Sequence, residues 1–370
     1  MTNINEIFNP VKVFAGRGAI DKLPAILDKR RYAILSSNVF LRMNWQRFFP
    51  HAQIQVTSVK SNPTVDDLLK HLKEFSSFEG DTIVAIGGGS VIDVAKVLSV
   101  VKTNNKNVLL EYLQNSKKVE KKNYDLIAIP TTAGTGSEVT PFATIWDETS
   151  KKKYSINSPL IFPQIAIVDS DLMSSLDFSL TAITGLDALS HAFESLWNKN
   201  WTVYNKALAL EAINNILDHL PPLLDDLTNA QHREKISYAS LLAGLCISHT
   251  KTAIAHSISY PLTLHLNAPH GLAAGAFLPQ IFELNLKKDS NDHMQSILTE
   301  LSGANRLAAR LDRLYQKLDA KNLFALLHEN REKVFALIPE MFDPNRALNN
   351  LTALSLDDIE LILSNFFYKK

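Results

Sequence analysis

The sequence contains a single cysteine, Cys246, and therefore cannot form an internal disulfide bond. This suits a reducing compartment, and we expect a cytoplasmic location. Basic and acidic residues both number 38, so the formal net charge is zero. A neutral chain gives no electrostatic reason to expect a nucleic acid or an acidic membrane as a partner.

Long apolar runs are also missing. The best candidate, residues 83–101, is interrupted by three glycines, Asp93 and Lys96, which excludes a membrane span. The first ten residues, MTNINEIFNP, have neither a basic nor an apolar segment, so we expect no secretory signal peptide. The chain has 370 residues, of which 46% are hydrophobic and 21% charged, as expected for two globular domains.

The first half of the chain alternates short apolar runs with helical patterns. Helices are predicted over residues 65–75 and 91–101. The predicted strands are residues 32–35, 53–56, 82–86, 126–129 and 165–168. Strands that alternate with helices indicate a largely parallel sheet covered on both faces.

The second half has a different pattern of apolar residues. From residue 179 onward the spacing is helical, and no convincing strand is present. Apolar residues recur at three- and four-residue spacing over residues 180–197, 204–217, 233–245 and 322–341. We therefore predict an α/β domain over residues 1–172 and an all-helical domain over residues 173–370.

A glycine-rich turn follows one of the predicted strands and precedes a helix. It includes Gly88, Gly89 and Ser90. A helix N-terminus offers free N–H groups and a partial positive charge, and glycine lets a pyrophosphate approach the backbone closely. The alternative is a tight strand-to-helix turn that binds no ligand.

A second polar segment, residues 130–140 (PTTAGTGSEVT), follows the next predicted strand. Its hydroxyls suit contacts with phosphate or ribose, although hydroxyl-rich loops are also common capping devices. Both segments are expected at the carboxyl ends of parallel strands, where open α/β sheets bind their ligands.

One carboxylate and three histidines of the second half form a candidate set of metal ligands. Asp187 and His191 are four residues apart and share one face of a predicted helix. His256 stands among small apolar residues, and His270 stands in a turn. Such a set suits Fe²⁺ or Zn²⁺ and leaves room for a substrate oxygen. A lone histidine on an apolar face is more often a core residue, so spacing alone does not establish a metal site.

Five strings together resemble the iron-containing (group III) alcohol dehydrogenase family, in the family's order and spacing. They are GGGSVIDVAK (87–96), PTTAGTGSEVT (130–140), GLDALSHAFES (185–195), AHSISYPL (255–262) and PHGLAAG (269–275). The resemblance implies a Rossmann-like dinucleotide-binding α/β domain, an all-α metal domain in a dehydroquinate synthase-like fold, and a cleft between them. It also implies a homodimer or larger assembly that involves an early strand near residues 11–14.

The resemblance further implies the roles of individual residues. The metal ligands are Asp187, His191, His256 and His270. The cofactor contacts are Gly88, Gly89, Ser90, Asp93, Thr131, Thr132, Ser137, Thr140 and Lys153. The implied reaction interconverts a small aldehyde and its primary alcohol with NAD(P)H, with the metal polarising the carbonyl oxygen and the cofactor carrying the hydride.

Two positions depart from the family pattern near the cofactor and the metal. Many members have a histidine four residues after the third metal ligand, where this chain has Tyr260. Tyr260 either relays a proton or only lines the pocket. After the first predicted strand, many NAD-specific members place an aspartate, but here Ser36, Ser37 and Asn38 follow. Because no carboxylate there repels a 2′-phosphate, we predict that NADPH is accepted, with Ser37 at the cofactor.

A third departure is Lys251, where many relatives have a small uncharged residue. A lysine beside a metal-bound carbonyl suits an anionic substrate, and the surrounding string is similar to the phosphonoacetaldehyde reductase branch of the family. The alternative is that Lys251 faces solvent or pairs with a nearby acid.

Three other functions compete with the dehydrogenase. A dehydroquinate-synthase-like lyase also combines a nicotinamide with a metal, although residues 130–140 favour the dehydrogenase. A metal hydrolase needs no glycine-rich turn after a strand. A non-enzymatic metal or nucleotide sensor needs no complete set of catalytic ligands.

Overall fold

The computed structural model describes residues 7–368, which form two compact units. The α/β unit comprises residues 9–132 and 136–173. The helical unit comprises residues 7–8, 133–135 and 174–368. No helix in these residues is long and apolar enough to cross a membrane.

The α/β unit is built from short strands and helices. Its strands are β1 (Lys12–Ala15), β2 (Tyr32–Ser36), β3 (Ile54–Val56), β4 (Thr82–Gly87), β5 (Asp125–Pro130), β6 (Phe142–Asp147), β7 (Lys152–Asn157) and β8 (Ile165–Val168). Its α-helices are α1 (Leu23–Leu27), α2 (Val39–Arg42), α3 (Val65–Glu74), α4 (Gly89–Val100) and α5 (Lys106–Leu113).

Six of these strands form one parallel sheet in the order β1-β8-β5-β4-β2-β3. The sheet is covered on both faces, because neighbouring residues of β4 belong to different apolar clusters. Ile83 and Ala85 lie in one cluster, and Val84 and Ile86 lie in the other. This explains why the central strands are continuous apolar runs, and it confirms the predicted parallel sheet.

The hairpin formed by β6 and β7 was not predicted. The two strands pair antiparallel as a separate two-stranded sheet, in which Trp146 faces Lys153. Residues of β6 alternate between buried and half-buried positions, as expected for a strand with one covered face. The run of lysines at residues 151–153 obscured this pattern, because it is also typical of a solvated loop.

The helical unit contains twelve α-helices in its described residues. They are α6 (Phe178–Leu196), α7 (Val203–Asp225), α8 (Ala230–Thr250), α9 (Ile254–Leu266), α10 (His270–Gly275), α11 (Leu278–Lys288), α12 (His293–Glu300), α13 (Ala304–Asp319), α14 (Ala325–Glu329), α15 (Arg331–Ala336), α16 (Pro344–Ala347) and α17 (Leu356–Tyr368). Helix α6 is central and packs against α7, α8, α9 and α10.

The first three predicted helices of this unit correspond to α6, α7 and α8, although α6 ends one residue before the predicted end and α7 continues past Pro221 and Pro222. The single helix predicted over residues 322–341 was wrong. The chain forms α14 and α15 there, followed by a 3-10 turn at Ile338–Glu340. Asn330, with φ −109° and ψ 23°, interrupts the helical path, and Pro339 lacks the N–H that would continue it.

Candidate active site

The two segments predicted to bind the cofactor lie side by side in the α/β unit. Gly87 at the end of β4 is paired with Pro130 at the end of β5. Gly88 is the N-cap residue of α4, and a Cβ atom added there would lie 3.4 Å from Thr132 Oγ1. Thr131 N donates to the Gly87 carbonyl oxygen at 3.0 Å. The N-terminus of α4 and the hydroxyl-rich loop therefore meet at the carboxyl edge of the sheet.

A buried lysine that sequence reasoning did not single out connects these segments. Lys96 on α4 is 0% exposed. Its Nζ donates to Ser137 Oγ at 2.9 Å, to Thr140 Oγ1 at 3.1 Å and to the Phe142 carbonyl oxygen at 2.7 Å. One turn earlier, Asp93 accepts from Ser137 Oγ at 2.6 Å. The hydroxyls of Ser137 and Thr140 are thus engaged inside the protein, where they attach the loop to α4.

Burial shifts the ionisation of the charged groups in this cluster. Desolvation lowers the pKa of Lys96 to about 8, although the charges of Asp93 and Glu138 work in the opposite direction. Desolvation likewise raises the pKa of the Glu138 carboxyl to about 7 and raises the pKa of Asp93. Lys96 therefore lies near two carboxyls, Asp93 and Glu138, whose ionisation is disfavoured by burial.

The other predicted cofactor residues lie at the periphery of the unit. Ser37 is half-buried and directly follows β2. Ser90 Oγ accepts from Asn62 N at 3.3 Å. Lys153 lies on β7, with its Nζ 5.4 Å from the centre of the Trp146 ring. Lys153 also acts on Asp93, where its charge lowers the pKa against the larger effect of desolvation.

The four predicted metal ligands come together in the helical unit. Ligand atoms of Asp187, His256 and His270 lie within 4.8 Å of one another. His191 Nε2 lies 3.2 Å from His256 Nε2, and each of these atoms lies 3.8 Å from Asp187 Oδ1. Ligand atoms about 2.1 Å from one ion in a tetrahedron are roughly 3.4 Å apart, so these separations fit a shared ion.

The hydrogen bonds of the histidines fix where their lone pairs point. His191 Nδ1 faces the Gly134 carbonyl oxygen at 3.2 Å, and His256 Nδ1 faces Glu194 Oε2 at 2.7 Å. Because both partners are acceptors, both Nδ1 atoms carry the proton, and both Nε2 atoms present lone pairs to each other. Desolvation lowers the pKa of His191 and favours its neutral form.

The carboxylate of Asp187 also indicates a cation site. Its Oδ1 is buried and has no hydrogen-bond partner within residues 7–368. A buried carboxylate oxygen without a partner is costly, and two imidazole lone pairs point toward the same region. A divalent metal ion satisfies all three groups, so the residues present fit the ion.

Two glycines permit this close packing. A Cβ atom on Gly271 would lie 2.2 Å from the Ile183 carbonyl oxygen and 2.8 Å from Asp187 Cβ. A Cβ atom on Gly134 would lie 2.8 Å from the Thr184 carbonyl oxygen. The first glycine lets α10 bring His270 against α6, and the second lets the Gly134 carbonyl reach His191.

Tyr260, one turn after His256, lies beside the metal ligands. Its ring is nearly parallel to that of His270, with 5.9 Å between the ring centres. Burial raises the pKa of the Tyr260 phenol, although the charge of Arg346 works in the opposite direction. The Arg346 guanidinium lies 4.1 Å from the centre of the Tyr260 ring and forms an ion pair with Asp343.

Arg346 and Glu194 were missed by sequence reasoning. Arg346 lies in the C-terminal part of the chain, whose sequence is less diagnostic, and only its place in the fold brings it to Tyr260. Glu194 carries a signal that was available, since it lies seven residues after Asp187 and three after His191 and so shares their face of α6.

Lys251 is exposed and follows the last residue of α8 in an unusual backbone conformation, with φ 62° and ψ 176°. Few residues other than glycine adopt this region. Its carbonyl oxygen accepts from Asn198 Nδ2 and from Thr250 Oγ1, both at 3.2 Å. Thr250 Oγ1 also lies 3.0 Å from the Oγ of Ser195 on α6. The backbone of Lys251 is thus fixed beside the helix that carries Asp187 and His191.

Comparison with known proteins identifies related chains. An NADPH-dependent butanol dehydrogenase of Clostridium saccharobutylicum is 30% identical over 75% of this chain and 73% of that protein. An NAD-dependent methanol dehydrogenase of Bacillus methanolicus is 29% identical over 99% of this chain and 100% of that protein. The crystal structure of a sulfoacetaldehyde reductase from Bifidobacterium kashiwanohense with NAD⁺ has a TM-score of 0.89 and 27% identity, over 100% of both chains.

Two family sequence models cover most of the chain. The model described as iron-containing alcohol dehydrogenase matches residues 10–170, and its C-terminal counterpart matches residues 181–367. These matches and the similar solved structures confirm the α/β and all-helical architecture expected from the sequence. The chain belongs to the iron-containing alcohol dehydrogenase family, whose members are NAD(P)-dependent oxidoreductases that use one divalent metal ion.

Proposed function

We propose that this oxidoreductase reduces a small aldehyde that carries a phosphonate or sulfonate group, and oxidises the corresponding alcohol in reverse. Asp187, His191, His256 and His270 hold the metal ion. When bound, the ion polarises the carbonyl group and the reduced nicotinamide supplies the hydride. The carbonyl carbon gains that hydride and the oxygen gains one proton, so the products are the alcohol and oxidised cofactor.

The observation that most favours an anionic substrate is the backbone conformation of Lys251. A non-glycine residue at φ 62° and ψ 176° costs on the order of 1–3 kcal/mol, and such strain is concentrated at functional sites. The exposed ammonium group is available to a ligand. A use for its charge would explain a lysine at a position whose backbone conformation favours glycine.

Arg346 supplies a further cation, which lies against the Tyr260 ring. It is half-buried, and its guanidinium is fixed by Asp343 and by the ring of Tyr260. Guanidinium groups bind tetrahedral oxyanions through paired N–H donors, which suits a phosphonate or a sulfonate. The sulfoacetaldehyde reductase among the similar structures acts on an aldehyde of this charged class.

Tyr260 is the residue we assign to proton transfer at the substrate oxygen. It lies one helical turn after His256, and its ring is parallel to that of His270. Its Oη both donates and accepts a hydrogen bond, so it can pass a proton directly or through a water molecule. Arg346 and Asp343 hold the ring in place while the proton moves.

The α/β unit binds the cofactor in this proposal. Gly88, Gly89 and Ser90 at the start of α4 contact the pyrophosphate, and Thr131 and Thr132 extend the same surface. Ser137, Thr140 and Asp93 shape this surface together with Lys96. Lys153 on β7 would hold the nicotinamide ribose.

Ser37 directly follows β2, at a position where a carboxylate would repel the 2′-phosphate of NADPH. Because serine carries no negative charge, the enzyme accepts NADPH.

The proposal also includes a cytoplasmic homodimer or larger assembly. The edge position of β1 supports assembly through this part of the α/β unit. Sedimentation of the purified protein measures the assembly, and a monomer at micromolar concentration would contradict this part.

The test follows NADPH and NADH absorbance in the Fe²⁺- or Zn²⁺-loaded protein with phosphonoacetaldehyde, sulfoacetaldehyde and propanal. We expect NADPH oxidation and at least tenfold higher kcat/KM with one or both anionic aldehydes. An equal kcat/KM with propanal would contradict the proposal of an anionic substrate but would not affect the family assignment. If neither NADPH nor NADH is oxidised with any of the three aldehydes, the proposed substrate class is wrong.

A further inference from the structure

We propose that Glu194 is a positioning residue that fixes His256 as a metal ligand and thereby sets the affinity for the ion. The inference rests on the proposed ligand set and adds a residue outside that set. Glu194 is fully buried in α6, and its neighbours in the fold explain why a carboxylate is there.

Both oxygens of Glu194 accept hydrogen bonds from His256, and the Ala253 backbone also donates to this carboxylate. Oε1 accepts from His256 N at 3.0 Å, and Oε2 accepts from His256 Nδ1 at 2.7 Å. The first bond fixes the backbone near the start of α9, and the second fixes the rotation of the imidazole ring. Together they leave the Nε2 lone pair directed at Asp187 and His191.

The carboxylate also changes the ligand electronically. A carboxylate on Nδ1–H raises the basicity of Nε2, which strengthens its bond to a cation. With Asp187, it also gives the centre two negative charges, which balance a divalent ion.

His191 provides an internal comparison. Its Nδ1 is held by the neutral carbonyl oxygen of Gly134 at 3.2 Å, a longer contact than the 2.7 Å at His256. The two histidines therefore differ in the charge of their supporting group. We infer that His256, supported by Glu194, is the stronger ligand of the pair.

The test measures Zn²⁺ affinity of the full-length protein by competition with a chelator, for wild type and Glu194→Gln. We expect about 10- to 100-fold weaker binding in the variant. Substituting Co²⁺ gives a second readout, because a displaced His256 alters the absorption bands of the bound ion. Ser190→Ala is the matched control, since Ser190 is also buried in α6 and its Oγ donates only to a backbone carbonyl, that of Asp187.

The outcomes separate this inference from the ligand assignment. Wild-type Zn²⁺ affinity in Glu194→Gln would overturn the inference alone, even if the variant is less stable. Equal weakening in Ser190→Ala would show a general packing effect and also overturn it. If Glu194→Gln does not fold, Glu194→Asp, which keeps the charge but shortens the reach, is expected to bind Zn²⁺ more weakly than wild type, and unchanged affinity would overturn the inference. A wild-type protein that binds no Zn²⁺ or Fe²⁺ would overturn the ligand set and the inference together.

Discussion

His191 and His256 bring their Nε2 atoms to within 3.2 Å of each other while both Nδ1 atoms donate elsewhere. Without a cation between them, two lone pairs and the Asp187 carboxylate oppose one another. We expect Zn²⁺ at 100 times its Kd to stabilise the protein by about 2.7 kcal/mol, and a chelator to reverse this. Thermal unfolding with and without Zn²⁺ measures the effect.

Asp187→Asn is expected to lose most of this stabilisation, because an amide oxygen lacks the negative charge. Asp357→Asn, at an exposed position of the same unit, should behave as wild type. Equal stabilisation of the Asp187→Asn protein would argue against Asp187 as a ligand.

Lys251→Gly is expected to change stability and specificity in opposite directions. Glycine removes strain of about 1–3 kcal/mol at φ 62° but adds about 0.5–1 kcal/mol of chain entropy, so the free energy of unfolding should rise slightly. At the same time, kcat/KM with the anionic aldehydes should fall at least tenfold, with propanal unchanged. Lys251→Ala is the matched control, since it removes the charge and keeps the strain. A loss of activity that is equal for charged and neutral aldehydes would contradict the assignment.

Arg346→Gln should raise KM for the anionic aldehydes about tenfold, in line with the loss of one charged hydrogen-bonding partner. Steady-state kinetics with propanal shows whether Tyr260 has also moved, because displacement of its ring lowers kcat for every aldehyde. Arg331→Gln, at an exposed position of α15, is the control. An unchanged KM for both anionic aldehydes would exclude Arg346 from substrate binding.

Lys96→Met is expected to weaken NADPH binding, because three acceptors lose their donor and the loop at residues 137–142 keeps only its hydrogen bond to Asp93 on α4. Stability should fall by about 1–3 kcal/mol, because buried neutral acceptors are left without their donor. Fluorescence titration measures NADPH affinity. Leu98→Ala, a buried apolar change in the same helix, should lower stability with less effect on that affinity. Unchanged NADPH affinity in Lys96→Met would contradict the prediction.

Glu138→Gln should alter how stability depends on pH. The pKa of Glu138 rises from 4.5 to about 7 on folding, mainly through desolvation, so its contribution to stability is complete below pH 4.5. That contribution is lost as the pH rises through 7, by an amount on the order of 1–3 kcal/mol. Wild type should therefore lose stability relative to Glu138→Gln between pH 5 and pH 8, as measured by denaturant unfolding. The exposed Glu79→Gln serves as control, and parallel curves for wild type and Glu138→Gln would contradict the prediction.

The sequence was most informative where local pattern and global fold agree. Strands β4 and β5 are apolar because both faces of the sheet are covered, and the turns after them are polar because strands end there. Asp187 and His191 were identifiable since one helix fixes their spacing. Their proximity to His256 and His270 depends on packing between helices. The family resemblance predicted this proximity, and hydrophobic periodicity could not.

The features that were missed depend on contacts between distant residues. Lys96 looks like an ordinary helical lysine until its three acceptors, more than 40 residues away, close around it. The hairpin β6–β7 was concealed by its lysines, and the break at Asn330 arises from backbone angles that asparagine tolerates in many contexts. Such outcomes are decided by tertiary structure, and local propensity carries little information about them.

Two of the three histidines of the metal site, His191 on α6 and His256 on α9, are 65 residues apart in the chain. An ion bound by both acts as a reversible cross-link that exists only while the helical unit is folded. Each release of the ion frees a long segment to open, and open segments are what proteases cleave. The supply of metal would then determine how long each molecule survives as well as how fast it works.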